Sequence, residues 1–227
     1  MPKNTTDEYI PALKYDWLTP LYDSVLRLTL REATWKHALI AQAGMDKTQR
    51  VLDLGCGTAT LTLLIKEAYA GADVFGLDGD PKILAMARTK LSRAHVDVTL
   101  TQGMSYALPY PEKTFDRVLS SLFFHHLTGE KKDQTFQEIL RVLRPGGELH
   151  IADWGKAQDP FMRLAFLSIQ LLDGFETTAE QVKGTLPERC RWAAFQNVRQ
   201  TVSYRTIFGT LSLFQAQKGH GNDSSKI

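Results

Sequence analysis

The chain has 227 residues, of which 43% are hydrophobic and 23% charged, and this composition excludes a globally disordered protein. A formal net charge of +2 gives no electrostatic signature for nucleic-acid binding. With neither a long apolar run nor a hydrophobic signal core, we expect a cytoplasmic protein without a membrane span. Cys56 and Cys190 are too few for a disulfide framework, and free thiols are favoured over a single disulfide.

Short β-type runs alternate with helical patterns, which is typical of a parallel sheet with crossover helices. In chain order, the patterns predict a helix at 19–44, a strand at 51–54, a helix at 58–69, a strand at 74–78, a helix at 80–94, strands at 96–101 and 115–121, a helix at 129–143, a strand at 148–153, a helix at 161–172 and two closing strands within 198–217. Asp80 and Pro81 fit the N-cap and first position of their helix. The closing strands are expected to form a hairpin at one sheet edge.

The strongest chemical signal is a glycine loop directly after the first predicted strand. Residues 51–59 read VLDLGCGTA, so Gly55 and Gly57 stand between a strand and a helix. Glycines at such a point permit a positive φ and let a ligand approach the backbone. Asp78 ends the second predicted strand, where a carboxylate can accept hydrogen bonds from both ribose hydroxyls of an adenosine.

Two residues around this loop indicate which adenosine cofactor it binds. Thr60 stands where the dinucleotide fingerprint requires a small Gly or Ala. Asp53 precedes the loop, and its carboxylate would repel a diphosphate but attract the ammonium or sulfonium of S-adenosylmethionine. Both residues count against a nicotinamide-dependent oxidoreductase, which is the first alternative. A cofactor-binding regulator without catalysis is the second.

Taken together, these motifs resemble those of class I S-adenosylmethionine-dependent methyltransferases. Residues 53–58 resemble the family's first motif, Asp78 its ribose-binding acid, residues 108–111 and 115–118 its fourth-strand signature and residues 141–147 its entry to strand five. The chain is most similar to the ubiquinone/menaquinone biosynthesis subgroup, whose members act on small molecules. The resemblance implies an α/β fold, with a Rossmann-like seven-stranded, mostly parallel sheet, helices on both faces and a C-terminal antiparallel strand.

The resemblance also implies a division of the chain and a set of cofactor contacts. Residues 1–218 would form one methyltransferase domain, with a helical lid at about 9–44, a cofactor-binding core at about 50–154 and substrate helices and closing strands at about 155–218, before a flexible tail at 219–227. The implied cofactor-binding residues are Asp53, Gly55, Cys56, Gly57, Asp78, Gly79, Met104, Ser105 and Ser121. Met104 departs from the Asp or Asn of many relatives, so it would pack on the adenine rather than bond its amine.

Methyl transfer requires the donor and the acceptor to be aligned, and it needs a general base only when the acceptor holds its proton tightly. His125 and His126 follow the fourth strand and are the candidate bases, and the sequence does not separate them. The alternative is that they cap the next helix or line the pocket as neutral donors. Asp153 either orients the substrate or belongs to an ordinary loop, and no metal site is expected because it is the sole rim carboxylate.

The acceptor is predicted to be a small, fairly apolar molecule, methylated at carbon, oxygen or nitrogen. Aromatic residues cluster at the expected rim of the site: Tyr15, Trp17, Tyr22, Phe123, Phe124 and Trp154. The predicted helix at 161–172 is apolar on nearly every side, so it lies in the core, in a dimer interface or over an apolar substrate. We expect a monomer or homodimer that does not act on nucleic acid.

Overall fold

The computed structural model describes residues 32–47, 49–167, 170 and 184–220. The helices of this part are α1 (Glu32–Ala43), α2 (Thr60–Ala68), α3 (Pro81–Arg93), α4 (Gly129–Val142), α5 (Pro160–Ala165) and α6 (Leu186–Trp192), with a 3₁₀ turn at Phe124–His126. The strands are β1 (Arg50–Leu54), β2 (Asp73–Asp78), β3 (Thr99–Gln102), β4 (Phe115–Ser121), β5 (Leu143–Trp154), β6 (Gln196–Thr206) and β7 (Gly209–Gln217).

The seven strands form one sheet in the order β3-β2-β1-β4-β5-β7-β6. The first five run parallel, β7 pairs antiparallel with β5, and β6 pairs antiparallel with β7. Strand β7 therefore opposes the other six, and the two closing strands form the predicted hairpin at the sheet edge. The chain reverses its direction of growth between β1 and β4, which is where ligands bind in open α/β sheets.

Both faces of the sheet are covered, so consecutive residues of the central strands are buried on opposite faces instead of alternating between core and solvent. Leu52 points into a cluster with Phe136 and Ile139 of α4. Val51, its neighbour, belongs to the opposite cluster, which contains Trp35 of α1 and Leu61 of α2. Helices on both faces confirm the fold class implied by the sequence.

The main differences from the predicted elements lie at β5, β3 and α6. Strand β5 begins at Leu143 rather than at residue 148, because Leu143 already pairs with Phe115 of β4. The pairing then shifts register, and Glu148 pairs with Arg117. Strand β3 begins at Thr99 rather than at residue 96, because pairing with β2 starts there. Helix α6 was not predicted, and it begins at Leu186 with a proline in its first turn.

Other predictions fall partly or wholly beyond the residues that the structure describes. Residues 1–31, which carry most of the predicted lid and the start of the first helix, lie outside it, as do most of residues 168–183 and the tail from 221. Within the described part, none of the helices is long and apolar enough to cross a membrane. Cys56 and Cys190 are both buried and free.

Candidate active site

The glycine loop is held against the end of β2 by a set of backbone hydrogen bonds. The amides of Gly55 and Cys56 both donate to the carbonyl of Leu77 at 2.9 Å. The amide of Gly57 donates to Oδ2 of Asp78 at 2.9 Å, and that of Asp80 donates to Oδ1 at 3.0 Å. The sequence predicted that Asp78 lies beside the loop. Its second role, as the anchor of the loop's backbone, was not predicted.

The two glycines of the loop serve different purposes. Both have a positive φ, +69° at Gly55 and +54° at Gly57. A Cβ at Gly55 would lie 2.3 Å from Cδ2 of Phe123, so this glycine makes room for an aromatic ring. A Cβ at Gly57 would meet no atom within 4 Å, so this side of the loop is open to a ligand. Phe123 lies directly over the loop, where the sequence placed a pocket residue.

Asp53 is fully buried in β1, beneath the loop. Its Oδ2 accepts a hydrogen bond from the hydroxyl of Thr62 at 2.5 Å, whereas its Oδ1 has no partner among the described residues. Burial raises the pKa of Asp53 to about 6, although the Thr62 hydrogen bond and the charge of Lys36 act in the opposite direction. A buried acceptor without a partner is costly, and a cationic ligand group would remove that cost.

The second half of the site follows β4. Leu122 adopts a positive φ of +51°, and the chain then forms the 3₁₀ turn that carries the two histidines. The ring of His125 is buried, with Nδ1 2.7 Å from Oδ1 of Asp153. The Asp153 carboxylate also accepts the backbone N–H of Trp154 at 2.7 Å and that of His125 at 3.3 Å. Asp153 is therefore tied to the histidine rather than lying in an ordinary loop.

Electrostatics distinguish the two histidines. Burial alone would raise the pKa of Asp153, but the charge of His125 and its hydrogen bond hold that pKa below its usual value. His126 lies with its ring centroid 4.0 Å from that of His125. Burial and the charge of His125 lower the pKa of His126 to about 3, so this ring is neutral at pH 7. Thr128 caps α4 by accepting from the amide of Lys131, so neither histidine serves as the helix N-cap.

Two of the rim aromatics are placed differently from the sequence expectation. Phe124 is fully buried and stacks on Phe136 at 4.9 Å, so it belongs to the core rather than to the rim. Phe123 is half-buried and lies over the glycine loop instead. Trp154 is buried too, and it contacts His125 edge-on with centroids 6.3 Å apart. Tyr15, Trp17 and Tyr22 lie outside the described residues.

The residues expected at the adenine and ribose lie at the same edge of the sheet. Gly79 follows Asp78, and its carbonyl accepts a hydrogen bond from the side chain of Gln102 at 3.4 Å. Met104 is half-buried just beyond β3, whereas the buried hydroxyl of Ser105 bonds that of Thr135 on α4 at 2.8 Å. The Ser105 hydroxyl therefore holds the loop to a helix. Ser121 is half-buried at the end of β4.

Two polar side chains that support the site were missed at the sequence level. Thr62 bonds Asp53 from the first turn of α2, and Ser120 donates to the carbonyl of Leu54, the last residue of β1, at 2.8 Å. Both are buried and both face neighbouring strands, so no local sequence pattern marks them. Among the described residues, no three His, Cys, Asp or Glu side chains are grouped so that they could hold a metal ion.

Comparison with known proteins agrees with this geometry. Residues 51–147 match the methyltransferase-domain family. With the sheet order, the glycine loop and Asp78, this match makes the chain similar to the class I S-adenosylmethionine-dependent methyltransferases.

Individual relatives show which kinds of methyltransferase the chain is similar to. The chain is 33% identical over 139 residues to the demethylmenaquinone methyltransferase of Thermus thermophilus, covering 60% of this chain and 62% of that protein. It is 29% identical over 150 residues to the ubiquinone/menaquinone biosynthesis C-methyltransferase UbiE of Syntrophotalea carbinolica, covering 65% and 62%. The match thus spans less than two thirds of either relative's length. The YcgJ protein of Bacillus subtilis shares the fold, with a TM-score of 0.64 and 16% identity over 82% of this chain and 98% of that one.

Proposed function

We propose that this protein transfers the methyl group of S-adenosylmethionine to a small, fairly apolar acceptor, at carbon, oxygen or nitrogen. The observation that carries the proposal is the hydrogen bond from the Gly57 amide to Asp78, which joins the glycine loop to the candidate ribose-binding carboxylate at 2.9 Å. The open Gly57 and the unpartnered oxygen of Asp53 suit the methionine part of this cofactor, and Asp78 suits its ribose. The cofactor supplies an electrophilic methyl group carried on a sulfonium.

The residues of the chain bind and orient the two reactants. Asp53 offers its unpartnered Oδ1 to the ammonium of the methionine part, and Gly57 lets that part approach the backbone. Asp78 has further lone pairs for the ribose hydroxyls beside its two backbone bonds. Met104 would pack on the adenine. A fixed arrangement of this kind lowers the barrier chiefly by aligning donor and acceptor.

We further propose that His125 is the general base when the acceptor must lose a proton. A carboxylate that accepts from Nδ1 fixes the tautomer in which Nε2 is unprotonated and can accept a proton. Asp153 is placed to do this at 2.7 Å. His126 is a poor base because its pKa lies near 3, and it is proposed to stay neutral beside the reacting groups. His125 would then be the catalytic residue, and Asp153 the positioning residue.

The acceptor class is supported by the surroundings of His125 and by the relatives. Phe123 is half-buried and covers the glycine loop, so an entering molecule would meet an aromatic ring there. The named relatives act on demethylmenaquinone or in ubiquinone and menaquinone biosynthesis. An aromatic or quinone-type ring is therefore the first acceptor to test. We also propose that the protein is cytoplasmic, a monomer or homodimer, and does not act on nucleic acid.

The test is a product assay with purified protein, S-adenosylmethionine and a panel of quinones, phenols, amines and lipids. We expect S-adenosylhomocysteine to form with at least one apolar aromatic acceptor and the matching methylated product to appear in equal amount. Asp78→Ala, which removes the loop anchor, is the matched control and should lose this activity. A protein that binds the cofactor but yields no product with any acceptor would instead be a cofactor-binding regulator.

A further inference from the structure

Three large apolar side chains are exposed at the edge of the molecule nearest the candidate site. Phe161 and Leu164 of α5 are 66% and 64% exposed, and Ile207 in the β6–β7 turn is 60% exposed. We call these three residues the α5 patch. Single exposed apolar residues are ordinary, but a cluster of large ones marks a surface that contacts something.

The three residues belong to one surface. Phe161 and Leu164 are three positions apart and so share a side of α5. The strand end that leads to Ile207 is tied to the same helix by an ion pair of 2.9 Å between Arg205 and Asp159, the N-cap of α5. The first turn of α5 and the β6–β7 turn therefore lie beside each other.

Packing of the core does not account for the patch. The opposite side of the same helix segment already supplies the core with Met162 and Phe166, which are both buried. Phe166 contacts Trp154 with ring centroids 5.8 Å apart. Since α5 is apolar on the buried side and also on the exposed side, the exposed side requires a separate explanation.

The charges around the patch indicate its partner. Described residues 155–167 and 205–209 contain three cations, Lys156, Arg163 and Arg205, and one anion, Asp159. Lys156 is exposed, and Arg205 is exposed but ion-paired with Asp159, so the cations of these segments outnumber the single anion. Aromatic and aliphatic side chains flanked by cations are the combination that binds an anionic lipid surface. In a symmetric dimer through this patch, each copy would set these cations against those of its partner, so a second copy fits less well.

The patch and the candidate site share one end of the sheet. Strand β6 reaches its carboxyl end at Thr206, beside the turn, and Trp154 at the end of β5 pairs with Leu211 of β7. Phe166, Trp154 and His125 form a continuous series of ring contacts from α5 to the candidate base. A bilayer in contact with the patch would therefore lie at the end of the sheet that carries the candidate site.

We propose that Phe161, Leu164 and Ile207 dock this protein reversibly on an anionic phospholipid surface, from which it takes its apolar acceptor. The docking depends on the patch alone, and the delivery of the acceptor rests on the proposed function.

The test is co-sedimentation of the full chain with phosphatidylcholine vesicles, with and without phosphatidylglycerol. We expect binding to the anionic vesicles that weakens as salt is added, because exposed charges are screened. The variant Phe161→Ser/Leu164→Ser/Ile207→Ser should lose about tenfold or more in vesicle affinity. Circular dichroism and a thermal melt would verify that the variant folds.

Trp192→Ser is the matched control, because Trp192 is even more exposed, at 75%. Trp192 ends α6, close to Gln196 at the start of β6. This eleven-residue strand is roughly 30 Å long, and the α5 patch lies beside its other end. This variant should bind vesicles like the unaltered protein. The proposal is overturned if the unaltered protein ignores anionic vesicles, if the triple variant binds equally well, or if Trp192→Ser loses as much. A dimer that dissociates in the triple variant, without vesicle binding, would assign the patch to self-association instead.

The two proposals fail in different ways. Absence of S-adenosylhomocysteine with every acceptor, while vesicles still bind, would contradict the proposed function alone. Turnover of acceptors in solution without any vesicle binding would contradict the docking surface alone.

Discussion

Nδ1 of His125 lies 2.7 Å from Oδ1 of Asp153, although the two residues are 28 positions apart and belong to different elements. The same carboxylate accepts two backbone amides, so it is held in place by three hydrogen bonds in a buried setting. A desolvated carboxylate fixed in this way orients the imidazole and stabilises its protonated form.

The first prediction concerns the two histidines. His125→Asn should lower kcat by about 10²–10⁴-fold for an acceptor that loses a proton, the usual contribution of a general base. Cofactor affinity should change little, since the side chain contacts Asp153 rather than the glycine loop. His126→Asn is the matched control and should cost much less. Activity should fall as pH is lowered, because a protonated imidazole cannot accept a proton, so a flat rate profile between pH 5 and 8 would contradict the assignment.

The second prediction concerns Asp153 as a positioning residue. Asp153→Asn keeps the shape of the side chain but removes the charge and offers a donor to Nδ1, which favours the wrong tautomer of His125. We expect kcat to fall while the Kd for the cofactor is preserved. Because the carboxylate favours the protonated ring, the variant should also shift the acidic limb of the pH–rate profile toward lower pH. An unshifted limb would indicate that Asp153 acts only in packing.

The third prediction concerns Asp53, whose pKa is raised by burial from 3.8 to about 6. A raised pKa means that the Asp53 contribution to stability is complete below about pH 4 and is lost as the pH rises through 6. Asp53→Asn should therefore increase the free energy of unfolding at pH 7, by about 1–3 kcal/mol, and at the same time weaken cofactor binding. Denaturant titration and calorimetry measure the two effects.

The same carboxyl group makes cofactor binding dependent on pH. The ionised form attracts a cationic ligand, so the affinity of the unaltered protein should decrease as the pH falls below 6, by up to about tenfold per unit. Asp53→Asn should remove this dependence. Equal pH dependence in the variant and the unaltered protein would contradict an interaction between Asp53 and the cofactor's ammonium.

The fourth prediction concerns Asp78. Asp78→Ala should weaken cofactor binding by about 1–3 kcal/mol, the usual cost of losing charged hydrogen bonds. The loss includes the anchor of the Gly57 amide as well as the proposed ribose contact. Titration with adenosine, which retains the ribose, and with adenine, which lacks it, separates the loop-anchoring role of Asp78 from its ribose contact. Affinity for adenosine should drop in the variant, while affinity for adenine should change less. An unchanged affinity for the whole cofactor would contradict both roles.

The fifth prediction compares the two loop glycines. At either position alanine must adopt a positive φ, at a cost of about 1–2 kcal/mol. Gly55→Ala adds a collision with the ring of Phe123 at 2.3 Å, so its melting temperature should fall further than that of Gly57→Ala. Gly57→Ala has open space around its Cβ, so its main effect should be on cofactor affinity. Equal destabilisation of the two variants would show that Phe123 moves away at little cost.

What the sequence predicted correctly was local or regular in its spacing. The glycine loop, Asp78 and the Asp80 cap lie within one strand–loop–helix–strand unit, and Asp80 accepts from the amides of Lys82 and Ile83 as the pattern indicated. The seven-stranded, mostly parallel sheet followed from the resemblance and from the alternating elements. The two closing strands were recognised from their β-type residues and confirmed as a hairpin.

What the sequence could not predict depends on contacts between distant residues. His125 and His126 are neighbours with equal intrinsic pKa, and they differ because one of them meets Asp153 from the adjacent strand. Phe123 and Phe124 are consecutive, yet one lies over the glycine loop and the other stacks on Phe136 in the core. Thr62 supports Asp53 across a helix–strand contact that leaves no mark in the pattern of apolar residues.

The most direct test of the central claim is a calorimetric titration of the purified protein with S-adenosylmethionine, S-adenosylhomocysteine and NAD. We expect micromolar binding of S-adenosylmethionine and S-adenosylhomocysteine, weakened in Asp78→Ala, and no comparable binding of NAD. Micromolar binding of NAD with no binding of S-adenosylmethionine would contradict it, because Asp53 and the glycine loop would then serve a dinucleotide.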